Sequence, residues 1–228
     1  MVECCTHLIS TMTLVVSHAR IVSRLSRKRV QATSILDDHV KGLLSPWEFR
    51  FLAEALLSNL WIDWNIFVRQ VLVLSCNGSI TRSGVMMPAR VLPDNSESRI
   101  AYEIKQYGIG VTPHPSKKFS GPIEPTWAHP DRIIAYISGL APSNAATLQM
   151  AFGSAGLFGP KRIHLVRNAC AHKSKSNRSD VQSLRSLYLT NHFYDPIDIV
   201  WGSNPSTNSI AIFEWIEDLE DIADLATQ

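Results

Sequence analysis

A six-residue segment in the C-terminal half combines three side chains that can act together on a phosphodiester: Arg167-Asn168-Ala169-Cys170-Ala171-His172. A histidine side chain has a pKa of about 6.5, so it can take up or release a proton at neutral pH. An arginine can hold a phosphate with its planar guanidinium and offset charge in the transition state. An asparagine one turn before the histidine can orient the imidazole or donate to the substrate. We therefore interpret Arg167, Asn168 and His172 as candidate catalytic residues.

A helix over residues 161–175 would hold these side chains away from the core. At about 100° per residue, Ile163, Val166 and Cys170 share one narrow face, which we predict to be the core side. Arg167 lies at the rim of that face. By the same arithmetic the polar residues fall within a stripe of about 80°: Lys161, His164, Asn168, His172 and Lys175.

Local positive charge around the motif favours RNA as the ligand, because a phosphodiester backbone is held mainly by basic side chains. The predicted RNA-binding residues are Lys161, His164, Lys173, Lys175, Arg178 and, on an earlier helix, Arg69. The sequence places no carboxylate cluster for magnesium beside the motif. His164 and His172 lack a third ligand for a metal site. We therefore expect no metal and no cofactor, with the 2′-hydroxyl of RNA as the nucleophile.

Composition narrows the class of protein. With 22 basic and 20 acidic residues the net charge is +2, so bulk electrostatics indicate no polyanionic partner. The basic run from Arg20 to Arg29 fits nucleic-acid contact and a solvated helix face equally well. The four cysteines form neither a disulfide framework nor a zinc-ligand pair, which favours the cytoplasm. We expect no membrane helix and no signal peptide. Met12 is an alternative start, and whether residues 1–11 belong to the native protein stays open at this point.

The elements that would position the motif are mostly helical. The clearest helix runs from Pro46, after the N-cap residue Ser45, to about Cys76, and would be the spine of a bundle. Residues 79–130 carry seven prolines, so we predict an irregular insertion with a short hairpin near Val85–Val91. Further helices are predicted at 15–44, 131–138, after 144, 160–175, 180–189 and 206–226.

We expect a basic N-terminal extension or helix over residues 1–30 and a single all-α domain over residues 31–228. The domain would contain four to five main helices, with residues 79–130 as the insertion. Whether that insertion is a padded surface connection or contacts a partner or substrate stays open at this point.

The motif resembles the signature of HEPN-domain ribonucleases of bacterial defence loci, in which an arginine is followed four to six residues later by a histidine. In that family an asparagine commonly follows the arginine directly. The resemblance extends to the flanking residues Phe158-Gly159-Pro160-Lys161-Arg162-Ile163 and Lys173, and to Leu60-Trp61-Ile62-Asp63-Trp64-Asn65 and Arg69 on the spine helix. It covers residues 45–190, without the insertion.

The resemblance implies a HEPN-like helical bundle that forms a homodimer, with two motifs facing one cleft around a single scissile phosphate. Arg167 would steady the phosphate, His172 would transfer protons, and Asn168 would orient them; the products would carry a 2′,3′-cyclic phosphate. The family also implies a toxin or phage-defence effector with an antitoxin or defence-system partner. Some HEPN toxins are controlled through a tyrosine two residues beyond the histidine. Ser174 occupies that position here, which puts control by that route in doubt.

Two alternatives stay open. One is a non-catalytic HEPN-like module that binds RNA or a partner protein. The other is a helical adaptor unrelated to HEPN, in which Arg167 is buried against Glu54 or Asp63 and His172 is exposed and alone. Two copies of the motif that converge across a symmetric contact would favour the ribonuclease over the first alternative, and Arg167 buried against Glu54 or Asp63 would favour the second.

Overall fold

The computed structural model describes residues 13–92, 94–121, 124–172, 174–190 and 193–228. These residues are predominantly helical, which confirms the predicted all-α class. The described α-helices are α1 (Leu14–Val40), α2 (Pro46–Asn77), α3 (Glu97–Tyr107), α4 (Ile133–Leu140), α5 (Ala145–Phe152), α6 (Gly159–His172), α7 (Lys175–Ser183) and α8 (Ala211–Ala226). Two 3-10 helices follow α7, at Leu184–Ser186 and Pro196–Trp201.

The long helix α2 begins and ends at local signals in the sequence. Ser45 and Glu48 form a capping box, in which each side chain accepts a hydrogen bond from the other residue's backbone N–H, and Pro46 occupies the first turn. Gly78 ends the helix with a φ of 81°, a conformation that favours glycine. A Cβ at this position would also lie 2.8 Å from the backbone nitrogen of Ala89. The predicted helix from Pro46 to about Cys76 is therefore confirmed to within one residue.

The core forms where α1, α2 and α8 pack together and where α5 and α6 close against α8. Helix α2 contributes the largest set of buried side chains, including Trp64 and Phe67, and α8 contributes Trp215. Helix α1 runs without a break from Leu14 to Val40 and buries Leu14, Ile21 and Leu25. The division that we drew after residue 30 therefore lies inside a helix that belongs to the core.

The segment 79–130 is more ordered than its prolines suggested. A hairpin is present, but it begins earlier than the predicted strand or hairpin near Val85–Val91: β1 (Ser79–Ile80) pairs antiparallel with β2 (Met86–Met87). Helix α3 was not predicted, because prolines flank it closely on both sides. Its buried face, which includes Ile100 and Ile104, packs against α4. The prediction of an irregular insertion therefore missed α3, which spans 11 residues.

Helix α6 is shorter than predicted. It ends at His172, and Ser174 caps the next helix by accepting a hydrogen bond from the backbone N–H of Asn177 at 3.2 Å. Lys175 therefore begins α7, and the prediction that it continues the polar stripe of α6 was wrong. Among the described residues, no helix is both long and apolar enough to cross a membrane.

Candidate functional site

The core side of α6 is close to the one that we predicted. Ile163 and Val166 are buried, but Ala169 completes this face, whereas Cys170 is only half-buried. Buried residues at a spacing of three (163, 166, 169) lie in a narrow stripe, so only one side of α6 packs against the core. Cys170 packs against the core but is only partly buried, and its thiol lies beside Glu54 and Asp195.

Contacts with α8 and with the segment before it fix the first turns of α6. The carboxylate of Asp218 accepts a hydrogen bond from the backbone N–H of Gly159 at 2.7 Å. One turn later, Arg162 donates to the phenolic oxygen of Tyr188 at 2.5 Å, and Tyr188 in turn donates to Glu214. Burial raises the pKa of Asp218 to about 6. The N-terminal half of α6 therefore has a fixed position relative to α8.

Three side chains in the middle of α6 form a hydrogen-bonded chain. Nη1 of Arg167 donates to Oδ1 of Asn168 at 3.2 Å, and Nδ2 of Asn168 lies 3.0 Å from Nε2 of His164. Because the arginine can only donate, its bond assigns the oxygen of the asparagine amide to that side. The amide nitrogen then faces His164 and donates to Nε2. That bond requires a lone pair on Nε2, so the imidazole is neutral and carries its proton on Nδ1.

The surroundings of His164 keep it neutral. Burial, His129, and Arg167 lower the pKa of His164 to about 4, with burial as the largest cause. The ring lies 5.0 Å from the ring of Trp61 and 5.1 Å from that of His129, measured between centroids. His129 belongs to the loop before α4, and burial lowers its pKa as well. At neutral pH the site therefore contains two uncharged imidazoles side by side.

His129 was not among the predicted site residues. Thirty-five positions separate it from His164, and only the path of the segment before α4 brings the two rings together. The backbone of that segment is held by α2, since the N–H of Ala128 donates to Oδ1 of Asn65 at 3.3 Å. The residues Trp127-Ala128-His129 carry no spacing signal that would identify this contact from the sequence.

His172 and the basic residues near it lie at the open end of α6. His172 is exposed in the last turn of the helix, and Arg178 is exposed on α7. Lys161 is exposed at the other end, where its Nζ lies 2.9 Å from a carboxylate oxygen of Asp131. Lys173 lies outside the described residues, as does the side chain of Lys175. One end of the motif helix is therefore anchored and the other is accessible.

Arg69, which we predicted to bind RNA, has other contacts. Its guanidinium is bonded to the carboxylates of Glu97 and Glu124 and lies over the ring of Trp127, 5.6 Å from the centroid. The hydrogen bond to Glu97 is the largest cause that raises the pKa of Arg69. These contacts attach the segment 97–127 to α2, and no described contact joins Arg69 to the motif.

Glu54 and Asp195 lie on the other side of the motif. Among the described residues, Glu54, Cys170 and Asp195 form a group whose potential ligand atoms all lie within 4.8 Å of one another. A thiolate with two carboxylates has the donor types and spacing to hold a divalent cation. The sequence predicted no carboxylate cluster for magnesium beside the motif, whereas the structure places the carboxylates of Glu54 and Asp195 next to Cys170. The sequence identified Glu54 only as a possible partner of Arg167, and no spacing pattern links it to Asp195.

The second acidic residue named in the adaptor alternative does not hold Arg167. Asp63 pairs with Arg24 at 2.8 Å and with Lys28 at 4.0 Å, both on α1. Glu54 lies beside Cys170, and the described hydrogen bond of Arg167 goes to Asn168. Arg167 is half-buried, so it is accessible to a ligand.

Comparisons with known proteins identified no relative of this chain. No protein-family model matches the chain, and neither a curated protein nor a solved structure matches it. The assignment of function therefore rests on the sequence motif and on the geometry of α6.

Proposed function

We propose that this chain is a metal-independent endoribonuclease with a HEPN-like site, in which Arg167 holds the scissile phosphate and His172 transfers protons. The observation that carries the proposal is the chain Arg167–Asn168–His164 on an anchored helix whose accessible end bears His172. An arginine that is oriented before the substrate binds loses little freedom on binding it. The same amide that orients Arg167 lies one turn before His172.

Within the proposal, His164 has a different role from the RNA contact that we expected. A histidine with a pKa of about 4 is not protonated at neutral pH, so it cannot offer a positive charge to a phosphate. It accepts the hydrogen bond that fixes Asn168, and Asn168 fixes Arg167. We therefore describe His164 and Asn168 as positioning residues for Arg167.

The reaction follows from these groups. The 2′-oxygen of the ribose attacks the adjacent phosphorus as a base removes its proton, and the bond from phosphorus to the 5′-oxygen breaks as an acid protonates that oxygen. The products are a 2′,3′-cyclic phosphate and a 5′-hydroxyl, so no water is consumed in the step. One histidine can serve as the base and a second as the acid. Arg167 offsets the charge on the phosphorane-like transition state.

Two histidines with this function require two chains. Arg167 and His172 are five positions apart in the sequence. On one helix their side chains therefore point about 140° apart and are offset by about 7.5 Å along the axis. A homodimer that faces two α6 ends across one cleft would supply an arginine from one chain and a histidine from each. The exposed position of His172 permits this approach. As a biological setting we propose a toxin or phage-defence effector in the cytoplasm, restrained by an antitoxin or another defence-system protein.

The test compares wild type with His172→Ala and Arg167→Gln on total RNA in the presence of a chelator. We expect fragments with cyclic-phosphate ends from wild type and none from either variant. His114→Ala is the matched control, because His114 is also exposed but lies in the segment 79–130. Cleavage that appears only after Mg²⁺ or Zn²⁺ is added would contradict the metal-independent step and point to Glu54, Cys170 and Asp195.

The second candidate is a non-catalytic module that binds RNA or a partner protein. It is favoured by the surroundings of His172, because no described contact orients that imidazole as Asn168 orients Arg167. Intact RNA with wild type, under conditions in which the protein is folded and binds RNA, would select this function over the ribonuclease.

A further inference from the structure

A groove of about 600 Å³ lies between the turn from α1 to α2 and the 3-10 helix Pro196–Trp201. Its volume is within the range of about 300–1,000 Å³ that is typical of ligand sites. We propose that this groove binds one nucleotide of a single-stranded RNA beside the motif, with the base against aromatic rings and the phosphate at Arg50. The inference rests on the proposed function and names the subsite that holds the flanking part of the substrate.

One wall of the groove is a column of aromatic rings. The rings of His39 and Phe49 are stacked with centroids 3.7 Å apart, and Phe49 stacks on Trp201 at 5.1 Å. Nδ1 of His39 and Nε1 of Trp201 are buried without a hydrogen-bond partner among the described residues. Polar ring atoms left in this state are uncommon in a packed core, where buried donors are usually paired. These two atoms are buried and do not face the groove, so the column contributes to the site through its stacked rings.

Tyr194 provides an accessible ring at the rim of the same groove. Its side chain is 74% exposed, although it belongs to a segment whose backbone is fixed. The N–H groups of Tyr194 and Asp195 both donate to Oδ2 of Asp198, at 2.8 and 2.9 Å. A large exposed ring on a fixed backbone has the character of a stacking platform for a base. Thr190 adds a hydroxyl group to the lining.

Arg50 is already oriented within the groove. Its Nε donates to Oδ1 of Asp198 at 3.0 Å, so one carboxylate fixes both the arginine and the backbone of Tyr194. This bond uses only Nε, and both Nη groups keep N–H donors that can bind two oxygens of a phosphate. Asp198 therefore positions the two groups that we propose for the phosphate and the base.

The groove and the motif share a boundary at Asp195. The carboxylate of Asp195 lies within 4.8 Å of Sγ of Cys170, which is one turn after Arg167 on α6. Asp195 is also the N-cap of the 3-10 helix that carries Asp198 and Trp201. A strand whose scissile phosphate is held at Arg167 can therefore place a neighbouring nucleotide in the groove.

The experiment measures binding of an oligoribonucleotide that cannot be cleaved because every 2′-oxygen is methylated. Fluorescence anisotropy at several salt concentrations gives the affinity and its salt dependence. We expect Tyr194→Ala to weaken binding about 5- to 150-fold, the usual cost of losing one stacked base, and Tyr194→Phe to retain most of the affinity. Arg50→Gln should weaken binding and lower the slope of log K against log salt by about 0.7, because one phosphate contact is lost.

Arg82→Gln is the matched control for Arg50→Gln. Arg82 is a surface arginine of similar exposure that pairs with Asp224 at 2.7 Å, and it lies outside the groove. Because Tyr194 is exposed, the result for Tyr194→Ala does not depend on whether the Arg50 variant folds. Unchanged affinity in Tyr194→Ala, or equal losses for Arg50→Gln and Arg82→Gln, would overturn the subsite.

Cleavage of unmodified RNA separates this inference from the proposed function. If wild type cleaves RNA, His172→Ala does not, and Tyr194→Ala has an unchanged KM, then the ribonuclease stands and the subsite is wrong. If wild type does not cleave but binds the methylated RNA through Tyr194 and Arg50, then the groove stands as an RNA site and the catalytic function is wrong.

Discussion

Replacement of Glu103 by glutamine tests whether the segment 79–130 is held to the domain by a buried charge. The Glu103 carboxylate lies between two arginines, with Oε1 2.7 Å from Nε of Arg99 and Oε2 2.7 Å from Nη2 of Arg90. The first contact is a hydrogen bond, whereas the second lacks hydrogen-bond geometry and is an ionic contact. Arg99 also donates to the carbonyl oxygens of His114 and Lys117, both at 2.6 Å. Loss of the Glu103 charge would therefore disturb contacts that join Arg90, Arg99 and the backbone at residues 114 and 117.

The burial of the three side chains determines the expected magnitude. Their exposed fractions are 3% for Glu103, 4% for Arg90 and 10% for Arg99, so solvent does not screen the charges. Removal of one partner from a buried ion pair costs about 3–5 kcal/mol, because the remaining charge stays buried. Here two arginine charges would remain. For a chain of this length, such a loss corresponds to a decrease in Tm of about 6–20 °C.

Urea unfolding followed by circular dichroism measures this change. Glu103→Gln should lower the midpoint, and Glu97→Gln is the matched control, because Glu97 pairs with a half-exposed arginine, Arg69. The control should change the free energy of unfolding by less than about 1 kcal/mol. Equal, small effects of both variants would refute the view that the Glu103 charge attaches this segment to the domain.

Three further predictions concern α6 and its neighbours. Asp218→Asn should raise Tm at pH 7. Because the pKa of Asp218 is raised to about 6 in the folded protein, its protonated form stabilises the wild type, and this contribution is lost as the pH rises through 6. A Tm-against-pH curve that is the same in the variant and the wild type would contradict this. Gly139→Ala should destabilise by about 1–3 kcal/mol in thermal unfolding, since a Cβ would lie 2.5 Å from the ring of Tyr107. His164→Gln should lower kcat but leave the pH of half-maximal activity unchanged, because His164 with a pKa of about 4 does not titrate near neutral pH; a shifted midpoint would make His164 rather than His172 the titrating residue.

The predictable parts of the fold are those that are determined by residues close together in the sequence. The capping box at Ser45 and the glycine at position 78 are local signals, and they placed both ends of α2. Helix α3 was missed because the density of prolines around it is also local and indicated irregular chain. What stabilises α3 is burial against α4 and the ion pairs of Arg99 and Glu103, which involve partners that no local pattern identifies.

The same distinction applies to the site. His164 and Asn168 are four residues apart on one helix, so the sequence placed them on one face and the structure has them in contact. The environment of that contact comes from other elements: His129 from the loop before α4 and Trp61 from α2. The sequence therefore indicated which α6 residues act together, but it did not indicate that His164 would be too buried to carry a charge.

In the proposed reaction, helix α6 would separate the positioning of the phosphate from the transfer of protons. Its first turn is held by Asp218 and its middle by the chain from Arg167 to His164, so the guanidinium is oriented by the chain's own contacts. Its last residue, His172, lies at the exposed end, immediately before the capped start of α7. In the proposed reaction, a group from the substrate or from a second copy would orient that imidazole. If the proposed function is correct, a single chain would stay inactive until a second copy or the substrate completes the site, as suits a ribonuclease that has to be restrained in its own cell.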